Sequence, residues 1–183
     1  MTLQIRNAEE SDSPLIRSTI NEAFGAEEGA EIAALVAALL ADPTASPFIS
    51  LVAEADRRVV GHVLFSSAQI QGAERPVQAS ILAPLCVVPE YQKSGVGGEL
   101  VRKGLRAAAL AGCDLVFVLG HPEYYPRHGF TPSGIHGLEA PYPIPPQNAD
   151  AWMVQELRPN LLGAITGQVI CADSLMEQKY WKE

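Results

Sequence analysis

The run Leu85-Cys86-Val87-Val88-Pro89-Glu90-Tyr91-Gln92-Lys93-Ser94-Gly95-Val96-Gly97-Gly98 decides how this chain is read. An apolar stretch stops at Val88, a proline follows, and a short polar loop leads into glycines that open a helical pattern. That helix is predicted over 95–111. Val96, Leu100, Leu105 and Ala108 share one face, and Arg102, Lys103 and Arg106 lie elsewhere on its surface. Backbone N–H groups at a helix N-terminus have no helical partner, and the macrodipole is positive there. Glycines allow a ligand to approach that backbone closely. The combination predicts an anion site suited to phosphate or diphosphate. A tight strand-to-helix turn with no ligand is the competing reading. A Walker A run is absent, and the dinucleotide fingerprint lacks its third glycine, because Gly98-Glu99-Leu100 follows Gly95-Val96-Gly97.

Upstream, Leu3 to Ala8 alternates as a strand. Ser13 as N-cap and Pro14 at the first helical position open a helix running to Phe24, and Gly25 stops it. A second helix is expected over 30–41, with Ile32, Leu35, Val36, Leu39 and Leu40 as its apolar stripe and Asp42-Pro43 as its end. The period then changes to two, predicting strands over 48–54, 59–66 and 77–88. Pro84 implies an edge or a bulge in the last of these, since proline cannot donate to a ladder. Downstream, 115–119 is a short apolar strand, 141–146 a proline-rich loop and 152–157 a strand. The tail from Leu161 has no clear period. These elements predict an α/β fold, a mixed and mostly antiparallel sheet flanked by helices, in a single domain over 1–183.

The chain has 183 residues, 48% hydrophobic and 19% charged, as expected of a globular domain with a sizeable core. No run approaches the roughly 20 apolar residues that span a bilayer. The opening MTLQIRNAEE has no basic n-region and no apolar h-region, so a cytoplasmic protein away from membranes is expected. A formal net charge of −8 gives no footprint for a phosphate backbone and argues against nucleic acid as a partner. It suits a cationic or amine substrate weakly, because acidity also serves solubility. Three widely spaced cysteines, Cys86, Cys113 and Cys171, form neither a disulfide framework nor a CxxC pattern. No His/Cys/Asp cluster has metal-ligand spacing.

Gln92-Lys93-Ser94-Gly95-Val96-Gly97 resembles the Gln/Arg-x-x-Gly-x-Gly/Ala signature of the GNAT superfamily of GCN5-related N-acetyltransferases. Leu85 to Pro89 is similar to the strand that precedes it there, and the order of elements agrees. Gly120-His121-Pro122-Glu123-Tyr124-Tyr125-Pro126-Arg127-His128-Gly129-Phe130 resembles the family's Tyr-x-x-x-Gly-Phe element. Together with Trp152 to Leu157, it looks like a subfamily of small acetyltransferases with a Pro-Glu-Tyr-Tyr-Pro-Arg segment. The resemblance covers residues 3–158 and implies acetyl transfer from acetyl-CoA to an amine by direct attack in a ternary complex. It implies that backbone groups of Lys93, Ser94, Gly95, Val96, Gly97 and Gly98 hold the CoA diphosphate. Cys86, Val87 and Val88 would pair with the pantetheine amides and point an N–H at the thioester carbonyl. Tyr125 would be the general acid. One departure stands out. Val118 occupies the position where many members carry a cofactor-contacting Asn, and Pro122 and Pro126 should leave the helix expected there short or distorted.

Tyr125 has a chemical rationale of its own. A phenol with pKa near 10 can protonate the thiolate that aminolysis expels. The alternative is a ring packed in the core beside Phe130. Tyr124 is next in line, but neighbouring side chains point different ways. Glu22, Glu27, Glu28, His62, His121 and Glu123 are candidate bases, and no spacing selects among them. Cys86 without a positioned His argues weakly for an acyl-enzyme. A non-catalytic acyl-CoA-binding sensor or interaction module, and a cofactor-free structural domain, remain as alternatives. A small-molecule or peptide amine is the expected partner, a homodimer is left open, and no metal is expected.

Overall fold

The structure, a computed structural model, describes residues 2–182, one residue short of the expected domain at each end. It is built on a sheet of nine strands. β1 (Leu3–Asn7), β2 (Ile49–Ala55), β3 (Arg58–Gln71) and β4 (Ala79–Val87) are joined antiparallel in chain order. β5 (Leu115–Leu119) pairs parallel with β4, β6 (Thr131–Pro132) and β8 (Trp152–Glu156) extend that side, and β7 (Leu138–Glu139) pairs with β9 (Gly167–Cys171). The sheet is therefore mixed and mostly antiparallel.

Helices α1 (Ser13–Phe24) and α2 (Ala26–Ala41) cover one face, and α3 (Val96–Leu110) covers the other. The predicted α3 stripe is buried in full: Val96 and Leu100 at 0%, Ala108 at 1%, Leu105 at 8% exposure. Each large apolar side chain so placed contributes on the order of 1.5–3 kcal/mol. On α2, Leu35, Val36 and Leu39 are buried, while Ile32 and Leu40 are packed at the margin.

Several expected boundaries shift. α1 begins at Ser13 itself, which is helical and not a cap; Glu9 and Asp12 form a capping box one turn earlier, and Arg6 holds Asp12 at 2.7 Å. α2 starts at Ala26 and not at Ala30, because Gly25 (φ 86°) turns the chain and lets the second helix start at once. β3 runs five residues past Ser66, to Gln71. Its extension is explained by the tail: β9 pairs with Ala68–Gln71 where β2 has ended. Pro84 lies at a bulge, where Leu82 faces Phe65 and Leu85 faces Val63.

The tail after β9 returns to α2. Asp42 accepts hydrogen bonds from Ser174 N–H (2.9 Å) and Oγ (2.7 Å), and Trp181 is buried edge-on to Trp152.

Candidate active site

β4 and β5 pair only at Ala79–Leu115, Ser80–Val116 and Ile81–Phe117. Beyond that, β5 follows β8 and β4 follows β3 through its bulge, so the two strands part. The β4 edge facing β5 is left open towards Val87. A cleft of about 780 Å³ lies against it, bordered by Leu85, Val87, the loop from Gln92, the first turn of α3, and the segment from His121 to His128.

The end of β4 and Val88, one residue past it, divide by alternation. Val88 N–H donates to Val60 O at 2.9 Å, and Cys86 opposes His62, so the backbone of both turns to β3. Both side chains are buried, Cys86 at 3% and Val88 at 0% exposure. Of Cys86, Val87 and Val88, the residues expected at the pantetheine, only Val87 borders the cleft, and Leu85 joins it. The sequence signal for Leu85 was the period of two from Val87. The Val87 carbonyl already accepts a hydrogen bond from Gln92 Nε2 at 2.9 Å.

At the α3 end, Lys93 (φ 59°) and Gly95 (φ 93°) are left-handed. Ser94 Oγ donates to Tyr91 O, closing the loop on itself. The first helical bond runs from Glu99 N–H to Gly95 O at 3.0 Å, which leaves the amides of Val96, Gly97 and Gly98 ahead of the ladder. Among the described residues, no side chain caps them. The glycines have different reasons. Gly95 has open space around it and is required by its φ. A Cβ on Gly97 would lie 2.9 Å from the Tyr124 hydroxyl, and one on Gly98 would lie 3.3 Å from His128 Cε1. These two glycines make room for rings from the other wall of the cleft, which spacing alone did not reveal.

That wall ends in a four-residue 3-10 segment, Tyr125–His128, with Tyr124 just before it. Pro122 and Pro126 shorten it as expected, and Val118 is buried, 1% exposed. Tyr125 is 8% exposed, packs edge-on to Phe130 at 5.6 Å, and borders the cleft. Its ring lies so close to Gly120 that a Cβ there would be 2.5 Å from Tyr125 Cε2. Tyr124 stands at 90° to Tyr125, with centroids 5.1 Å apart. One ring leans on the start of α3, the other on the end of β5.

The candidate bases are dispersed. Glu22 is bound to Arg58 at 2.6 Å. Glu27 and Glu28 open α2 and, with Glu31 and Phe24, line a separate hollow of about 490 Å³. His62 is buried, 0% exposed, with Nε2 2.9 Å from Ser50 Oγ, and burial pushes its pKa down to about 4. His121 and Glu123 are exposed, and His121 borders the cleft. Burial pushes the Cys86 thiol up to about 12, which removes the thiolate an acyl-enzyme needs. Among the described residues, no group of three or more His, Cys, Asp or Glu could hold a metal ion, and no helix is long and apolar enough to cross a membrane.

Residues 46–132 match the model of the acetyltransferase (GNAT) domain. Over 166 residues, 90% of each chain, the sequence is 46% identical to the uncharacterized N-acetyltransferase YjhQ of Escherichia coli K12. The chain belongs to the GNAT acetyltransferase family. Its fold is similar to that of the GNAT family N-acetyltransferase YhbS from Escherichia coli, solved in complex with CoA: TM-score 0.84, 31% identity, 96% of this chain and 92% of that one covered. A GNAT family acetyltransferase from Brucella melitensis, solved with acetyl-CoA, matches with a TM-score of 0.74 at 30% identity over 95% and 98% of the two chains. The GNAT model takes in the open β4 edge, the signature loop, α3 and the tyrosine segment, so every wall of the cleft lies within the matched region.

Proposed function

We propose that this GNAT enzyme uses acetyl-CoA as acetyl donor and a primary amine as acceptor, joined by direct attack in a ternary complex. The observation that carries the reading is the parting of β4 and β5, which leaves an unpaired strand edge leading to the uncapped amides of α3. Two related proteins solved with CoA or acetyl-CoA support it. The amides of Val96, Gly97 and Gly98 hold the diphosphate, with Lys93 and Ser94 shaping the turn before them. Leu85 and Val87 meet the pantetheine, and the Val87 N–H faces the open edge.

The amine lone pair attacks the thioester carbonyl carbon, and the negative charge gathers on its oxygen. The C–S bond then breaks. Tyr125 gives its hydroxyl proton to the departing thiolate, and the proton shed by the attacking nitrogen restores the phenol through solvent. Holding amine and thioester together supplies most of the acceleration. The buried, protonated Cys86 supports transfer without an acyl-cysteine. The net charge of −8 favours a cationic over an acidic acceptor.

Release of CoA thiol from acetyl-CoA with a panel of amines tests the reading. Amine-dependent release, stronger with polyamines or basic peptides than with carboxylate-rich acceptors, is the expected result. CoA binding in a calorimeter without release by any amine would mark a binding module instead.

A further inference from the structure

The two adjacent tyrosines both border the cleft, Tyr124 against Gly97 and Tyr125 against Gly120, and only Tyr125 has a role in the reaction above. Tyr124 is half-buried, and its hydroxyl would lie 2.9 Å from a Cβ on Gly97, in the first turn of α3. No protein hydrogen bond reaches that hydroxyl among the described residues, although it borders the cleft. Its ring is held on three sides. His128 packs at 5.0 Å, Tyr125 at 5.1 Å, and the Arg127 guanidinium lies 5.2 Å above its centroid. Arg127 is itself tied back to Glu123 O. The ring is thus held before any ligand arrives, with its O–H against Gly97 in the first turn of α3.

We propose that Tyr124 is a cofactor-binding residue, donating its hydroxyl hydrogen to a diphosphate oxygen of CoA. The inference rests on the CoA-dependent function proposed above and adds to it a division of labour. Tyr124 serves the phosphate end, and Tyr125 serves the sulfur. Burial raises the phenol's pKa, so it stays protonated and able to donate at neutral pH. A neutral donor suits this place, because the α3 amides and the helix dipole already supply positive potential. Arg127 adds a cation on the same ring. The same geometry accounts for Gly97, where a Cβ would lie 2.9 Å from the hydroxyl and displace it.

The test compares wild type with Tyr124→Phe, which keeps the ring and its packing. Calorimetry with CoA gives the affinity. Steady-state turnover is followed with acetyl-CoA and with S-acetylpantetheine, which lacks the diphosphate. A hydrogen bond to a charged oxygen predicts CoA binding weaker by about tenfold or more. It also predicts unchanged turnover at saturating acetyl-CoA and unchanged kcat/KM with S-acetylpantetheine. In the Phe background, Gly97→Ala should cost less affinity than in wild type, because the atom it displaces is gone. Unchanged CoA affinity in Tyr124→Phe overturns the proposal. So does a fall in turnover at saturating acetyl-CoA with affinity intact, which moves the hydroxyl to the sulfur end. Failure of the wild type to bind CoA at all overturns the functional reading itself, and is told apart by that control.

Discussion

Gln92 donates from Nε2 to the carbonyl oxygen of Val87 across 2.9 Å, tying the first residue of the signature loop to the strand that ends before it. The bond satisfies a backbone acceptor on the open β4 edge and fixes the angle at which the loop leaves the sheet. Gln92→Leu, which removes the donor and nearly keeps the volume, should loosen the loop. Acetyl-CoA affinity should fall by roughly three- to tenfold, the worth of one neutral hydrogen bond. Saturated turnover should barely change. Calorimetry and steady-state kinetics check the two halves separately.

Tyr125→Phe should keep its packing on Phe130 and lose only the acid. Turnover should drop by about 10²-fold or more while acetyl-CoA binding holds. Full turnover under conditions where chemistry limits the rate would leave positioning as the sole source of catalysis.

The features that place the cleft were legible in the sequence to different degrees. The β4–loop–α3 unit could be read because its signals are local: an apolar run, a proline, glycines, then a helical stripe. Pro84 announced its bulge for the same reason. What failed to show was set by distant partners. β3 extends to Gln71 because β9, a hundred residues away in the chain, covers its edge. α2 begins early because the φ of Gly25 lets one helix follow another directly. The family resemblance put Cys86 and Val88 at the pantetheine, and only the pairing of Val88 with Val60 revealed which side each faces. Gly97 and Gly98 drew notice as phosphate glycines, yet their close neighbours are Tyr124 and His128, some thirty residues on in the chain.

His62 should make the fold acid-sensitive. Its pKa is about 4 in the folded chain against 6.5 as a free side chain, so between those values the unfolded state binds the extra proton. Stability is therefore full above pH 6.5 and is lost as the pH falls towards 4, by about 3 kcal/mol for this group. Asp12, held down to about 2 by Arg6, gives way only at lower pH. Urea melts of wild type and His62→Gln across pH 4–7 should show a steeper slope in wild type. Parallel slopes would remove His62 as the cause.

Asp42 should anchor the C-terminal segment. Its carboxylate accepts from Thr44 and from Ser174, which pins the tail to the end of α2. Those hydrogen bonds hold its pKa well below the usual range. Asp42→Ala should expose 173–182 to protease first, with the sheet left intact. Mass spectrometry of the earliest fragments reads this directly, and an unchanged cleavage pattern would show that the remaining contacts, buried Trp181 and the hydrogen bonds of Thr44 and Tyr142, hold the tail without Asp42.

The central claim is that the cleft between β4, α3 and the tyrosine segment is where acetyl-CoA binds. Amide chemical shifts of nitrogen-15-labelled protein, followed through a titration with CoA, test it most directly. The account predicts saturable shifts concentrated at Lys93 to Gly98, Leu85, Val87 and Tyr124 to His128. Saturable shifts confined to other surfaces, with those amides unmoved, would contradict it.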